Sequence, residues 1–201
     1  MIGTAAVSRE TRERLALHLA LLRKWNRKIN LVSRSTLDLA EHRHTDDSLQ
    51  LLALAPDTAT RWIDLGSGGG FPGLVIAIAA VEHRPAMHVT LIESDARKAA
   101  FLRTVLRECE IDATVLASRI EAAPSQEGDV VSARALAPLP ALLNLAEPHM
   151  VPGAVGLFLK GAAHAEEVRE ALERWRFTCE KFDSATSPDG AILRIGELRR
   201  A

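Results

Sequence analysis

The sequence predicts an α/β fold, a doubly wound and mostly parallel sheet of seven strands behind an N-terminal helical extension. Three observations predict it. From Arg61 onward, short apolar runs alternate with helical segments, the pattern of a parallel sheet covered on both faces. A glycine-rich turn, "DLGSGGGFPG" at 64–73, breaks the first of these runs. The last stretch, "RFTCEKFD…PDG…AILRIGEL", reads as two antiparallel strands turning at Pro188–Gly190, which a mixed sheet accepts at an edge.

Each element has its own signal. Residues 8–29 read as a helix, with Leu15, Leu19 and Leu22 on one face and Leu21, Trp25 and Ile29 beside it. Ser8 is its N-cap, supported by the negative charges of Glu10 and Glu13 near the positive helix end. A second helix covers about 36–54 and ends before Pro56. "RWIDL" is the first strand, and a helix follows from Pro72, a residue suited to a first turn. "MHVTLIE", "ATVLA", "DVVSAR" and "AVGLFLK" are the next four strands. Helices over 95–110, 138–147 and 163–174 fall between or after them. The division expected is a helical extension over 1–58 and a sheet domain over 59–201, packed as one unit.

Composition narrows the class. The chain has 201 residues, enough for one sizeable core, with ordinary apolar and charged fractions. Its longest apolar run, Leu74 to Val81, is too short to span a bilayer, and the start carries no secretory pattern. Cys109 and Cys179 are far apart and form no CxxC, so neither a disulfide framework nor a zinc knuckle is expected. Both cysteines read as small core residues, and the chain as a cytoplasmic monomer. The net charge of −1 hides an asymmetry: +5 over residues 1–45 and −6 over the remainder. A basic arm on an acidic body fits a polyanionic partner; it also fits a solvated amphipathic helix.

The glycine turn carries the chemistry. In an open α/β sheet, ligands bind at the carboxyl ends of the strands beside the point where strand order reverses. Glycines there remove the Cβ and let backbone amides approach a ligand. Gly68, Gly70 and Gly73 satisfy the dinucleotide spacing G-x-G-x-x-G. Asp64, Gly66, Gly68 and Gly70 satisfy acid-x-G-x-G-x-G, the first motif of S-adenosylmethionine-dependent methyltransferases. Glu93 ends the next strand, 23 positions beyond Gly70, where a carboxylate can accept both hydroxyls of a ribose. That residue serves either cofactor class. The terminal strand pair and the short chain favour the methyltransferase, since a dehydrogenase needs a second domain.

The order of "NLVSR" at 30–34, "RHTDDSL" at 43–49, "DLGSGGGFPG" at 64–73, "SRIE" at 118–121, "RALA" at 134–137 and "LKG" at 159–161 resembles one family closely. It is that of ribosomal RNA small subunit methyltransferase G, or glucose-inhibited division protein B, and the resemblance runs from about residue 25 to residue 195. The resemblance implies S-adenosylmethionine as cofactor and N7 of a guanine in 16S ribosomal RNA as the methyl acceptor. It implies that Gly66, Phe71, Ile120, Glu121 and Arg134 line the cofactor pocket, beside Gly68 and Glu93. It also implies that His44, Asp47 and Ser48 shape the floor of the site. The family's "SRA" is "SARA" here, which leaves Ser132 without an assigned role.

The residues agree with that acceptor. The chain lacks the Asn/Asp-Pro-Pro-aromatic motif of amino-group methyltransferases, and neither cysteine sits where a carbon-5 pyrimidine enzyme needs its nucleophile. An acceptor that already offers a lone pair remains, and guanine N7 is one. Such a transfer needs alignment and no general base, so no catalytic acid or base is assigned. The RNA side of the site is expected to comprise Arg34, His44, Asp47, Ser48, Arg134 and Lys160. Lys160 ends a strand at the ligand edge and reads equally as a phosphate contact or a solvated lysine. His42, His44, Asp46 and Asp47 lack clean ligand spacing, and no metal is expected. Small ribosomal subunits or their RNA are the expected partners. A methyltransferase of small molecules or proteins, and a nucleotide- or RNA-binding module without catalysis, stay open on the residues alone.

Overall fold

The structure, a computed structural model, describes residues 7–33 and 44–201. Arg34, His42 and the first part of the second expected helix lie outside the described residues. The strands are β1 (Arg61–Leu65), β2 (His88–Ile92), β3 (Thr114–Leu116), β4 (Gly128–Arg134), β5 (Met150–Lys160), β6 (Trp175–Asp183) and β7 (Ala191–Arg200). They form one sheet in the order β3-β2-β1-β4-β5-β7-β6. The first five strands run parallel, and β7 pairs antiparallel with both β5 and β6. Only β7 is therefore reversed. The chain steps outward from β1 to β3 and then returns to the other side of β1 with β4, which makes β1 the switch point.

Among the described residues, six α-helices surround the sheet: α1 (Arg9–Asn26), α2 (Thr45–Leu54), α3 (Gly73–His83), α4 (Ala96–Glu108), α5 (Leu139–Ala146) and α6 (His164–Ala171). Side-chain alternation along β1 sorts the core into two layers. Trp62 faces the layer built with α1, α2, α3 and α4, whereas Ile63 and Leu65 face the layer built with α5 and α6. Both layers are largely apolar, and β1 is buried from Trp62 to Leu65 between them.

The N-terminal helix docks as its pattern requires. Ser8 caps it, its hydroxyl accepting from the Thr11 amide at 3.2 Å, and the Glu82 carboxylate accepts from the Ser8 amide and the Thr11 hydroxyl. Leu15, Leu19 and Leu22 are buried, each contributing about 1.5–3 kcal/mol by removal from water. Arg23 and Lys24 on the opposite face, and Arg27 and Lys28 directly after the helix, are exposed. Beyond the helix, the Asn26 side chain accepts from the Leu31 and Val32 amides and folds that segment back onto the glycine turn. Cys109, next to α4, is buried as expected, but Cys179 is exposed. It lies on β6, the edge strand, most of whose residues are exposed.

The glycines of 64–73 answer two different demands. At Gly73 the first turn of α3 lies directly on the sheet, and an added Cβ would stand 2.3 Å from Leu91 Cδ2 and 2.5 Å from Asp64 Oδ2. That glycine serves packing. Gly73→Ala is expected to lower stability by about 1–3 kcal/mol through overpacking. Urea unfolding should show this as a lower midpoint with an unchanged slope; a parent-like midpoint would mean that α3 can slide along the sheet.

Candidate active site

A cavity of about 900 Å³ opens at the carboxyl ends of β1, β4 and β5. Stretches far apart in sequence wall it, among them Leu31–Ser33 after α1, the glycine turn, the loop 134–138, and the loop joining β6 to β7. The N-terminal segment is thus part of the pocket. Gly66, Gly68, Phe71, His44, Asp47, Arg134 and Lys160 are among the residues that line it.

The glycine turn is held from outside. Its Gly66 and Ser67 amides donate to the Ile92 carbonyl of β2 at 2.9 and 3.1 Å. The Gly68 amide donates to Glu93 Oε2 at 2.9 Å, and Glu93 Oε1 accepts from the Asp95 amide at 2.8 Å. Gly68 has φ +49°, a conformation that favours glycine. A Cβ there would meet nothing of the protein nearer than the Gly66 carbonyl at 3.7 Å, so the room it would fill belongs to the cavity. Glu93 stands behind the cavity wall, buried and anchoring the turn. A carboxylate has about four acceptor sites, and two amides leave sites for the hydroxyls of a ribose.

Below the turn runs a buried polar chain. In the register of β1 with β4, Asp64 lies beside Ser132 and Trp62 beside Val130, so Trp62, Asp64 and Ser132 share one face. Trp62 Nε1 donates to Ser132 Oγ at 2.8 Å, and Ser132 Oγ donates to Asp64 Oδ1 at 2.7 Å. This gives Ser132 its role: it links the indole to the carboxylate. Burial raises the Asp64 pKa to about 6, opposed by the Ser132 hydrogen bond. Arg134, two residues on, lies on the same face of β4.

Arg134 meets the ring of Phe71, its guanidinium carbon 5.2 Å from the centroid, and donates to His44 Nδ1. His44 also lies against Phe71, with centroids 5.2 Å apart. Burial lowers the Arg134 pKa to about 10, while the Asp47 and Asp64 carboxylates hold the charge in place. The guanidinium therefore stays cationic at neutral pH. Asp47 accepts from the hydroxyls of Ser184 at 2.8 Å and Thr186 at 2.9 Å, and Gln50 bonds the backbone of Asp183 and Ala185. One turn of α2 thereby ties down the β6–β7 loop over the cavity.

Other expected residues take different places. His44 stands at the N-cap of α2 with helical backbone angles, directly after the residues that are not described. Ser48 is fully buried and donates to the His44 carbonyl, so it cannot touch RNA and acts on the floor only through that backbone. Lys160 is not solvated: its ammonium donates to the Ala137 carbonyl at 2.8 Å and pairs with Glu167 at 2.5 Å. Glu167 in turn accepts from the Leu139 amide, so this pair braces the loop behind Arg134. Ile120 and Glu121 form a short 3₁₀ turn after β3, outside the cavity wall, with Ile120 buried in the second core layer. The Ser118 amide ties that segment to the Glu93 carbonyl at 3.1 Å. Sequence reasoning missed His18, Trp62, Ser184, Thr186 and Glu167. Of these, only Trp62 had a signal, as the partner of the unusual Ser132.

Among the described residues, no group of three or more His, Cys, Asp or Glu is placed to hold a metal ion. No described helix is long and apolar enough to cross a membrane.

A sheet of this order, a glycine turn after β1 and a carboxylate after β2 define the class I S-adenosylmethionine-dependent methyltransferases. Solved structures share the fold. An O-methyltransferase from Bacillus cereus, in complex with SAH, superposes with a TM-score of 0.62 at 15% identity, over 92% of this chain and 91% of that one. TYW2 from M. jannaschii, in complex with AdoMet, gives 0.61 at 10% identity over 87% and 80%. The model of the rRNA small subunit methyltransferase G family, GidB, matches residues 11–189, and the chain belongs to that family. Ribosomal RNA small subunit methyltransferase G of Rhodospirillum centenum is 54% identical over 192 residues, 96% of this chain and 87% of its own. That of Acidiphilium cryptum is 53% identical over 209 aligned positions, covering 97% and 94%.

Two buried groups should set opposing pH dependences of stability. Burial lowers the His18 pKa to about 4, against a hydrogen bond to Gly69 that raises it. The unfolded chain binds this proton more readily, so His18 makes stability fall as pH drops from about 6.5 to about 4. Asp64 holds its proton more tightly when folded, so it makes stability rise as pH drops from about 6 to about 4. The two slopes offset each other in the parent. Asp64→Asn keeps an acceptor for Ser132 and removes one slope, so its stability is expected to fall more steeply with acid. Urea midpoints from pH 7 to pH 4.5 read this directly; parallel curves for parent and variant would refute it.

Proposed function

We propose that the chain is an S-adenosylmethionine-dependent methyltransferase that methylates N7 of a guanine in 16S ribosomal RNA. The observation that carries this reading is the family match over residues 11–189, which takes in most of α1, the glycine turn and most of the cavity lining. S-adenosylmethionine, when bound, supplies an electrophilic methyl group on sulfur. The residues fit that cofactor at Gly68, whose open face leaves ligand space, and at Glu93, a buried carboxylate with acceptor sites to spare. Gly66, Phe71 and Arg134 complete the wall beside it, and Ile120 and Glu121 flank Glu93 through the Ser118 link.

The chemistry asked of the protein is placement. Guanine N7 offers its own lone pair, so the residues at the cavity have to orient the base and exclude water. Arg134, cationic and fixed between Phe71 and His44, is suited to a phosphate or to the base edge. Lys160 reaches phosphate only by exchanging Glu167, so its first role is to hold the loop that carries Arg134. His44, Asp47 and Ser48 set the floor, and Arg34 extends the basic stretch. The helical extension, 1–58, and the sheet domain, 59–201, act as one unit on the small subunit, as a monomer in the cytoplasm.

Changing Glu93→Ala should weaken S-adenosylmethionine and S-adenosylhomocysteine alike, because both carry the same ribose. Two hydrogen bonds to a charged acceptor put the loss at about 1.5–3 kcal/mol each. Calorimetry checks it, and unaltered affinity for both would remove Glu93 from the site.

The exposed face of α1 should serve the RNA. Replacing Arg23, Lys24, Arg27 and Lys28 by Ala leaves the apolar face intact, so cofactor affinity should hold. Transfer of tritiated methyl to small ribosomal subunits should fall, and its salt dependence should flatten by about 0.7 in slope per lost phosphate contact. Unchanged transfer and slope would make that face mere solvated surface and reopen a substrate other than RNA.

A further inference from the structure

His18 is the one histidine of α1, and it is out of place by composition. It sits on the apolar face between Leu15 and Leu22, with none of its surface exposed. Its Nδ1 is buried with no hydrogen-bond partner. An apolar residue would fill the position without that cost. What the imidazole does gain is a hydrogen bond: Nε2 lies 2.9 Å from the carbonyl oxygen of Gly69. A carbonyl only accepts, so the proton is on Nε2 and Nδ1 is bare.

The backbone around Gly69 bears out the closeness of this approach. A Cβ on Gly69 would meet Val32 Cγ1 at 3.2 Å and Leu22 Cδ1 at 3.3 Å, so α1 and the segment after it press directly on the turn. The His18 ring also lies against Phe71, centroids 5.0 Å apart, and Phe71 bears Arg134 and His44 on other sides. The turn residues Gly66 and Gly68 are fixed from β2; Gly69 is fixed from α1.

We propose that His18 is a positioning residue of the cofactor turn, its Nε2–H holding the Gly69 carbonyl so that the Gly68 amide and the Phe71 ring face the cavity in binding geometry. The inference rests on the cofactor reading above. It assigns to the N-terminal helix a share in cofactor affinity that its basic outer face does not have.

Two variants separate the hydrogen bond from the packing. His18→Phe keeps a ring against Phe71 and removes the donor. His18→Gln places an amide N–H at the same reach and removes the ring. The full chain would be titrated with S-adenosylhomocysteine by calorimetry, and thermal midpoints recorded beside it. Expected is a loss of about fivefold to tenfold in affinity for His18→Phe, with a midpoint no lower than the parent's, and recovery to within about twofold for His18→Gln. A residue that merely fills the core would move the midpoint and spare the affinity. Should His18→Phe not accumulate as folded protein, His18→Leu carries the same comparison. Parent-like affinity in the donorless variant overturns the proposal and leaves the proposed function standing. Equal losses in both variants overturn it too, since the donor would not matter. A parent chain that does not bind S-adenosylhomocysteine sinks the cofactor reading itself, and the inference with it.

Discussion

A turn made largely of glycine cannot hold its own shape, and the rest of this site is arranged around that constraint. Each glycine loses more conformational freedom on ordering than any other residue. Gly66, Gly68 and Gly69 have no side chains with which to recover it. The recovery comes from neighbours: the Ile92 carbonyl and Glu93 carboxylate on one side, and His18 on the other. Those bonds leave the turn's open face free, and the cavity begins there.

The same logic governs the charges. Asp64, Arg134 and Asp47 lie within one layer of the fold, where unpaired charge is costly. Each is compensated by a neighbour drawn from another element: Ser132 for Asp64, His44 and the two carboxylates for Arg134, and the loop hydroxyls for Asp47. The Trp62–Ser132–Asp64 chain roots this network beneath β1, so the guanidinium is presented at a fixed height above the sheet. Lys160 and Glu167 do the equivalent work one strand further, bracing the loop behind it.

The helices before the sheet belong to the site. Leu31–Ser33 close one side of the cavity, and α2 ties the β6–β7 loop across another through Asp47 and Gln50. A pocket enclosed in this way joins the first fifty residues to the last twenty.

The sequence alone determined the order of strands and helices, the cap at Ser8, the apolar face of α1 and the place of the glycine turn. These are local: alternation, helical spacing and backbone freedom are properties of neighbouring residues. β1 runs from Arg61 to Leu65 as its apolar run indicates. β5 begins at Met150, four residues before the expected "AVGLFLK", because Met150 pairs with Gly128 across an irregularity in β4 that no local pattern reports. Only the tertiary structure decided the partners. Ser132 serves Asp64 because strand register sets them side by side. Lys160 is spent on Glu167, and Cys179 is exposed because β6 is an edge. His18 faces Gly69 across 51 positions of chain. A residue's type and spacing state what it can bond; the packing of distant elements decides what comes within reach.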